Sequence, residues 1–253
     1  MNSSPSTQKL RLDELLVQRG LFASRSRARD AIARGAVLVE GTVWTKPGHP
    51  VRDDVEISVD DPARSYVSRA ALKLIAGLDA FSLDPSGKQA LDIGASTGGF
   101  TQVLLERGAS HVFAVDVGHG QLDEGLSSDP RVTSLEKTNA RNLTLEHLGG
   151  SCPGFVVSDV SFISLKLALP PALDLADDGA HCVLLVKPQF EAGREAIGKG
   201  GLLRRPEDGP RIAAELQDWL ADQPGWRSLG VVPSPIEGGD GNKEFLLAGV
   251  KDK

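Results

Sequence analysis

The most constraining stretch of the chain is residues 90 to 100. A short, mostly apolar run, Ala90-Leu91-Asp92-Ile93, breaks there into Gly94-Ala95-Ser96-Thr97-Gly98-Gly99-Phe100. Such a run suits a buried strand, and the glycines after it let a ligand approach the backbone closely. A helical pattern follows to about Gly108, and a second strand over 111–115 closes on Asp116. Asp116 stands 24 residues after Asp92, the spacing of one strand-helix-strand unit. The alternation continues: residues 155–157 lead to Asp159, residues 182–186 lead to Lys187, and late extended segments cover 229–232 and 244–250. Strands alternating with helices predict a mostly parallel sheet covered on both faces. Ligands bind such sheets at the carboxyl ends of the strands, so the glycine turn, Asp159 and Lys187 are expected in one crevice.

A helix capped by Ser68 and running to Phe81 is expected before the sheet, with Leu74, Leu78 and Phe81 as its apolar stripe and Lys73 on another face. Lys73, Asp159, Lys187 and Glu244 could then form a network of alternating amines and carboxylates. Any one of them alone reads equally as a surface salt bridge. Four at the ligand edge point to chemistry, because burying charge is costly.

The first sixty residues have another texture. Leu12, Leu15 and Leu16 recur at helical spacing before Gly20, and Ser24 can cap a second helix to Arg34 that stops at Gly35. Ala28 and Ile32 form its buried side; Arg25 and Arg29 share another stripe, with Arg27 and Arg34 nearby. Val37, Val39, Val43, Val55, Ile57 and Val59 alternate with polar residues as in short strands, and Glu40-Gly41 and Lys46-Pro47-Gly48 read as turns. The net charge of −6 argues against a nucleic-acid partner when taken alone. It hides an asymmetry: seven Lys or Arg against three acids lie between Lys9 and Arg34. Arginines on short helices suit a phosphate clamp or, equally, a solvated face. Two cysteines exclude a disulfide framework or a multi-cysteine zinc site, and no metal-ligand cluster is visible. The first ten residues lack an apolar core and no run approaches membrane-spanning length, so no membrane role and a cytoplasmic location are expected.

Two resemblances sharpen this. RLDELLVQRGLFASRSRARDAIARGAVLVEGTVWTKPG resembles the S4-type RNA-binding domain, with Glu40 standing where that family commonly has asparagine. D-x-G-x-x-x-G-G-F, with glycines at 94, 98 and 99, departs from the G-x-G-x-x-G dinucleotide register and resembles motif I of S-adenosylmethionine-dependent methyltransferases. Together VSRAALKL, LDIGASTGGFT, VDVGHGQL, SDVSFISL, LLVKPQFEAGRE, GKGG and GNKEFLL resemble the TlyA proteins, which join an S4-type domain to an FtsJ-like catalytic domain.

The resemblance implies an α/β Rossmann-like class I methyltransferase domain, its seven-stranded sheet ending in an antiparallel strand, preceded by a small α+β S4-type domain. Its boundaries are a disordered tail over 1–9, the S4-type domain over 10–61, a linker over 62–67 and the catalytic domain over 68–253. It implies transfer of methyl from S-adenosylmethionine to a ribose 2′-hydroxyl of cytidine in 16S and/or 23S ribosomal RNA within ribosomal subunits; the sequence does not fix the oligomeric state, and a monomer is the expectation. An idle methyltransferase fold serving ribosome assembly and a haemolysin are the competing readings. The Lys-Asp-Lys-Glu tetrad falls on Lys73, Asp159, Lys187 and Glu244, with Lys187 favoured as base and the neutral lysine left open. Cofactor contacts are expected from Gly94, Ser96, Thr97, Gly98, Gly99 and Phe100, with Asp92 organising the turn. Asp116 would hold the ribose and Val117 would pack on adenine; Asn139 would touch the adenine edge or merely shape a turn. RNA contacts are expected from Arg11, Arg25, Arg27, Arg29, Arg34 and Arg69, and from Arg194, Lys199, Arg204 and Arg205 on a mobile loop over 192–205.

Overall fold

The computed structural model describes residues 8–252, which fall into two compact units divided between Ser65 and Tyr66. In the first, β1 (Lys9–Arg11) leads into α1 (Leu12–Gln18), and α2 (Arg25–Ala33) follows. Leu12, Leu15 and Leu16 meet Ala28, Ala31 and Ile32 in one small core, and Ser24 Oγ accepts the Arg27 amide at 3.3 Å as the cap of α2. Next come β2 (Val37–Val39), β3 (Thr42–Val43), β4 (Pro50–Arg52) and β5 (Ile57–Val59). β2 lies between β3 and β5, and β1 pairs separately with β4, all antiparallel.

That two-stranded pair corrects the sequence reading twice. Lys9 belongs to a strand rather than a tail, while residues 1–7 lie outside the described residues. The sequence shows no strand at β4 because three residues are too few for alternation and the first is Pro50, which a strand tolerates at its first position or at an edge. Val55, expected in a strand, is buried just before β5.

In the second unit α3 (Ala71–Ala80) starts later than the Ser68 cap predicts. Ser68 Oγ accepts the Ala70 amide at 3.2 Å in a preceding turn, and Ala70 is already helical in its dihedrals. The elements then run β6 (Gln89–Ile93), α4 (Gly99–Glu106), β7 (His111–Val115), α5 (Glu124–Ser127), β8 (Val132–Leu135), β9 (Phe155–Ser158), α6 (Leu165–Ala168) and α7 (Pro170–Leu175). They end with β10 (His181–Val186), α8 (Pro188–Glu191), α9 (Gly209–Ala221), β11 (Trp226–Pro233) and β12 (Phe245–Lys251). The sheet order is β11-β12-β10-β9-β6-β7-β8, and β12 alone runs against its neighbours.

Strand alternation divides the core. Leu91 and Ile93 face Leu173 of α7 and Ile212 and Leu216 of α9, whereas Ala90, Phe155 and Val157 face Leu74 and Leu78 of α3 and Leu104 of α4. The winding reverses between β6 and β9, which opens the crevice where such folds bind ligands.

The β2–β3 hairpin turns on two residues in left-handed conformation, Glu40 (φ 49°) and Gly41 (φ 76°). Asn tolerates that conformation far better than Glu, and the exposed Glu40–Arg52 ion pair at 3.6 Å is weak compensation. Glu40→Asn is therefore expected to stabilise the first unit by up to about 1 kcal/mol, read as a rise in its urea midpoint at unchanged m-value.

Candidate active site

The carboxyl ends of β6, β7 and β9 surround a cavity of about 480 Å³. Gly94, Ser96, Asp116, Val117 and Asn139 line it. Gly94 has φ 83°, and a Cβ there would lie 3.0 Å from the Asp159 carbonyl oxygen, so the turn closes on β9 only with glycine. Asp116 accepts the Ser96 amide at 2.8 Å on one oxygen and the Gly118 amide at 2.7 Å on the other, holding both turns around the cavity. Asn139 satisfies both readings of it: it lines the cavity, and its oxygen caps a 3-10 turn through the Arg141 amide at 3.1 Å. Gln121, Thr138 and Ile163 also line it and escaped sequence reasoning, since each sits in a loop beyond a strand end with no periodicity to mark it.

The other nominated cofactor residues lie outside that lining. Thr97 is exposed, its carbonyl taking the Asp123 amide at 3.3 Å. A Cβ on Gly98 would strike Leu122 and Leu126, and one on Gly99 would meet Ser68 Cβ at 2.9 Å, so both glycines permit close packing. Phe100 is a core residue against α3. Asp92 is fully buried and accepts a 2.7 Å hydrogen bond from Thr101 Oγ1, while its other oxygen has no partner among the described residues. Burial pushes its carboxyl up to about 7, against the pull of the Thr101 bonds.

The structure brings Lys73, Asp159, Lys187 and Glu244 together. Asp159 and Lys187 follow the last residues of parallel β9 and β10. Glu244 precedes β12, and because β12 is antiparallel its start lies at the same edge, with Phe245 paired to Val186. Lys73 comes from α3 and is ion-paired with Glu244. Lys187 Nζ stands 2.6 Å from Asp159 Oδ1 and donates to Ser161 Oγ at 2.7 Å. Lys73, Lys187 and Glu244 are only 5%, 9% and 4% exposed. Burial raises Glu244 above the usual carboxylate range; Lys73 and then Lys187 pull it down, and Asp159 adds to the rise, so the two pairs feel each other.

A second cavity, of about 750 Å³, opens on the far side of Lys187 and Glu244. Ser161 and Phe162 line both cavities. Phe162 is 89% exposed, at a left-handed φ of 67°, with its ring 5.1 Å from that of Phe190. The sequence reading passed over Ser161, Phe162, Gln189 and Phe190; an aromatic placed in a polar loop just beyond a strand end was the available signal.

The basic loop is built rather than open. It contains 3-10 turns over 194–196 and 199–201, and Ile197 bridges Leu203. The buried Asn242 donates to the Gly201 carbonyl at 2.9 Å and accepts the Leu203 amide at 3.0 Å. Arg194, Lys199, Arg204 and Arg205 are exposed on it, and Arg69 sits half-buried near Gly239. In the first unit Asp13 is fully buried and accepts from Arg11 at 3.0 Å and Arg25 at 3.1 Å. Burial pushes that carboxyl up, but the two arginines outweigh it and hold it below the usual range. Arg34 lies between Asp30 and Asp61, Arg27 reaches the Arg64 carbonyl at 3.4 Å, and Arg29 is exposed.

The S4 domain family matches residues 10–57, and the family described as FtsJ-like methyltransferase matches residues 66–251. The 16S/23S rRNA (cytidine-2′-O)-methyltransferase TlyA of Mycobacterium tuberculosis is 46% identical over 241 residues, 95% of this chain and 89% of that protein. Hemolysin A of Brachyspira hyodysenteriae is 40% identical over 94% of this chain and 98% of its own. A solved structure from Streptococcus thermophilus, titled as a candidate hemolysin, has a TM-score of 0.75 at 40% identity, covering 98% of this chain and 90% of that one.

Asp92 sets a pH test of the cofactor turn. A carboxyl raised in the folded state favours folding while it is protonated, so its contribution is complete below about pH 4 and is lost as pH rises through about 7. Asp92→Asn keeps an acceptor for Thr101 and cannot ionise. Its stability relative to the parent chain is expected to grow between pH 4 and 8 in urea titrations; a constant difference would mean that Asp92 is ionised throughout.

Proposed function

The chain belongs to the FtsJ-like methyltransferase family, and from that premise we propose that it methylates the ribose 2′-hydroxyl of cytidine in ribosomal RNA, with S-adenosylmethionine as donor. The observation that carries this reading is the Lys187–Asp159 pair at the wall shared by two cavities: Asp159 lines the smaller and Lys187 the larger. The smaller fits a nucleoside-bearing donor. The Asp116 carboxylate suits ribose hydroxyls, the exposed Val117 offers an apolar seat for adenine, and Gly94 leaves the floor without a Cβ. When bound, S-adenosylmethionine supplies an electrophilic methyl on a sulfonium.

The residues then divide the work. A ribose seated in the larger cavity meets Lys187 Nζ, which Asp159 and Ser161 fix in place. Lys187 would accept the 2′-hydroxyl proton after giving up the proton it carries in the pair with Asp159, and the bound donor would supply the methyl group. Asp159 and Glu244 stabilise the ammonium so formed, and Lys73 holds Glu244 from behind. Fixing oxygen, carbon and sulfur in line is the larger part of the rate gain. Residues 10–61 would grip RNA and residues 68–253 would carry out transfer, with 62–67 joining them. Arg11, Arg25, Arg29 and the four cations of the 192–205 loop are the exposed phosphate contacts this reading assigns.

Purified chain, radiolabelled donor and ribosomal subunits provide the test. Label in ribose 2′-O-methylcytidine is the expected result; no incorporation into either subunit sinks the reading. Lys187→Ala is expected to lower kcat by about 100–10,000-fold while donor affinity stays within about threefold. Equal loss of both would remove Lys187 from the chemical step. Replacing Arg194, Lys199, Arg204 and Arg205 with alanine should reduce the slope of log binding constant against log salt by about 3. An unchanged slope would place the loop outside the RNA interface.

A further inference from the structure

Arg194, Ile197, Gly200 and Gly201 of the basic loop line the larger cavity together with Gly239 and Asp240 of the turn before Glu244. The loop is folded on itself: the Gly198 amide donates to the Leu202 carbonyl at 2.7 Å, and the Arg204 amide to the Ala196 carbonyl at 2.9 Å. Buried Leu203 anchors its exit in the core. Among the described residues, every hydrogen bond from 194–204 to chain outside the loop ends on one side chain, Asn242.

Asn242 is 4% exposed and stands two residues before Glu244. Its oxygen accepts the Leu203 amide at 3.0 Å. Its Nδ2 donates to the Gly201 carbonyl at 2.9 Å and to Asp240 Oδ2 at 2.8 Å. Its backbone amide donates to Asp240 Oδ1 at 3.1 Å. Turning the side-chain amide over would set its nitrogen against an N–H and its oxygen against a carbonyl and a carboxylate, so one orientation is fixed. That single group joins the loop carrying Arg194, Lys199, Arg204 and Arg205 to the segment carrying Glu244 of the buried Lys73–Glu244 pair.

A slack loop must be ordered whenever it grips a ligand, whereas a clamped one is ordered beforehand. We propose that Asn242 is a positioning residue for RNA: it clamps the basic loop to the turn before Glu244, so that the four loop cations meet phosphate in fixed register with the site of transfer. This rests on the ribose-methylation reading above and on its assignment of the loop to phosphate.

The experiment uses full-length variants, donor and purified ribosomal subunits. Asn242→Ala is expected to weaken subunit binding by about 10–100-fold, the equivalent of fixing one or two backbone residues. Donor affinity and kcat at saturating subunits should each stay within about threefold, because none of these residues lines the donor cavity. In a protein whose four loop cations are already alanine, Asn242→Ala should cost less than about threefold, since there is no charge left to present. The same loss in both backgrounds, or equal falls in kcat and in binding, would make Asn242 merely structural and overturn the proposal. Asp240 is exposed, so Asp240→Ala probes the clamp even if Asn242→Ala fails to fold. Removing an acid beside RNA by itself tightens binding; here binding is expected to weaken by about threefold or more, because Asn242 loses two hydrogen bonds. Unchanged or tighter binding would overturn the proposal. If the four-alanine protein binds subunits as tightly as the parent, the loop assignment itself falls; if it binds weakly while Asn242→Ala binds normally, only this inference falls.

Discussion

Two lysines and two carboxylates meet at one edge of the second unit's sheet, with Lys73, Lys187 and Glu244 nearly sealed and Asp159 half-buried, and bringing them there carries a desolvation cost. Stripping water from a charge costs several kcal/mol even after relaxation. It is tolerable only when each charge meets an opposite one at contact distance, as Lys73 meets Glu244 and Lys187 meets Asp159. Removing Lys73 or Glu244 strands a partner that is almost fully buried. Four separate elements must therefore end at the same height, and the antiparallel β12 achieves this by bringing the start of the last strand to the edge where parallel β9 and β10 finish.

Six of the seven strands of this second unit were legible because they are short, mostly apolar and closed by residues of distinct chemistry, whereas β8 and the helices after α4 were not. Asp92 and Asp116 gave the length of a strand-helix-strand unit, and Lys187 and Asp159 stood just beyond apolar runs. The glycine turn was legible as a turn and not as a set of ligands. Gly98 and Gly99 have the spacing of a binding motif, yet the space they vacate is taken by Leu122, Leu126 and Ser68, which come from distant parts of the sequence. The same blindness to long-range contacts hid β4, too short to alternate, and Asn242, a lone polar residue whose partners lie about forty positions upstream.

Charge was legible as a count and misleading as a surface. The seven cations between Lys9 and Arg34 include Arg11 and Arg25, which converge on buried Asp13, and Arg34, which lies between two aspartates. Arg19 donates to the Val55 and Asp53 carbonyls at 2.7 and 2.6 Å and so pins the turn before β5. These guanidiniums tie helix, strand and turn of the small domain together around a core that includes Phe22 and three leucines. Their positive field persists, but each is already oriented, so an RNA phosphate would meet preset donors at a lower entropic cost than free side chains would impose.

The two cavities show why the loop after β9 carries so much of the site. Under the proposed reading, donor and acceptor take separate seats with one opening between them, and Ser161 and Phe162 line both cavities. The loop is held from beyond the strand by Glu191, which accepts from Ser164 Oγ at 2.5 Å and the Leu165 amide at 2.8 Å. Phe162 keeps a left-handed backbone and an almost fully exposed ring, a combination that costs energy on both counts. A protein retains such a residue where the exposed face is covered in the working complex. A planar, exposed ring lining the larger cavity, beside Phe190, is a surface that a nucleobase can cover. Phe162 and Lys187 both line the larger cavity, and under the proposed reading a nucleotide there would cover the first and engage the second.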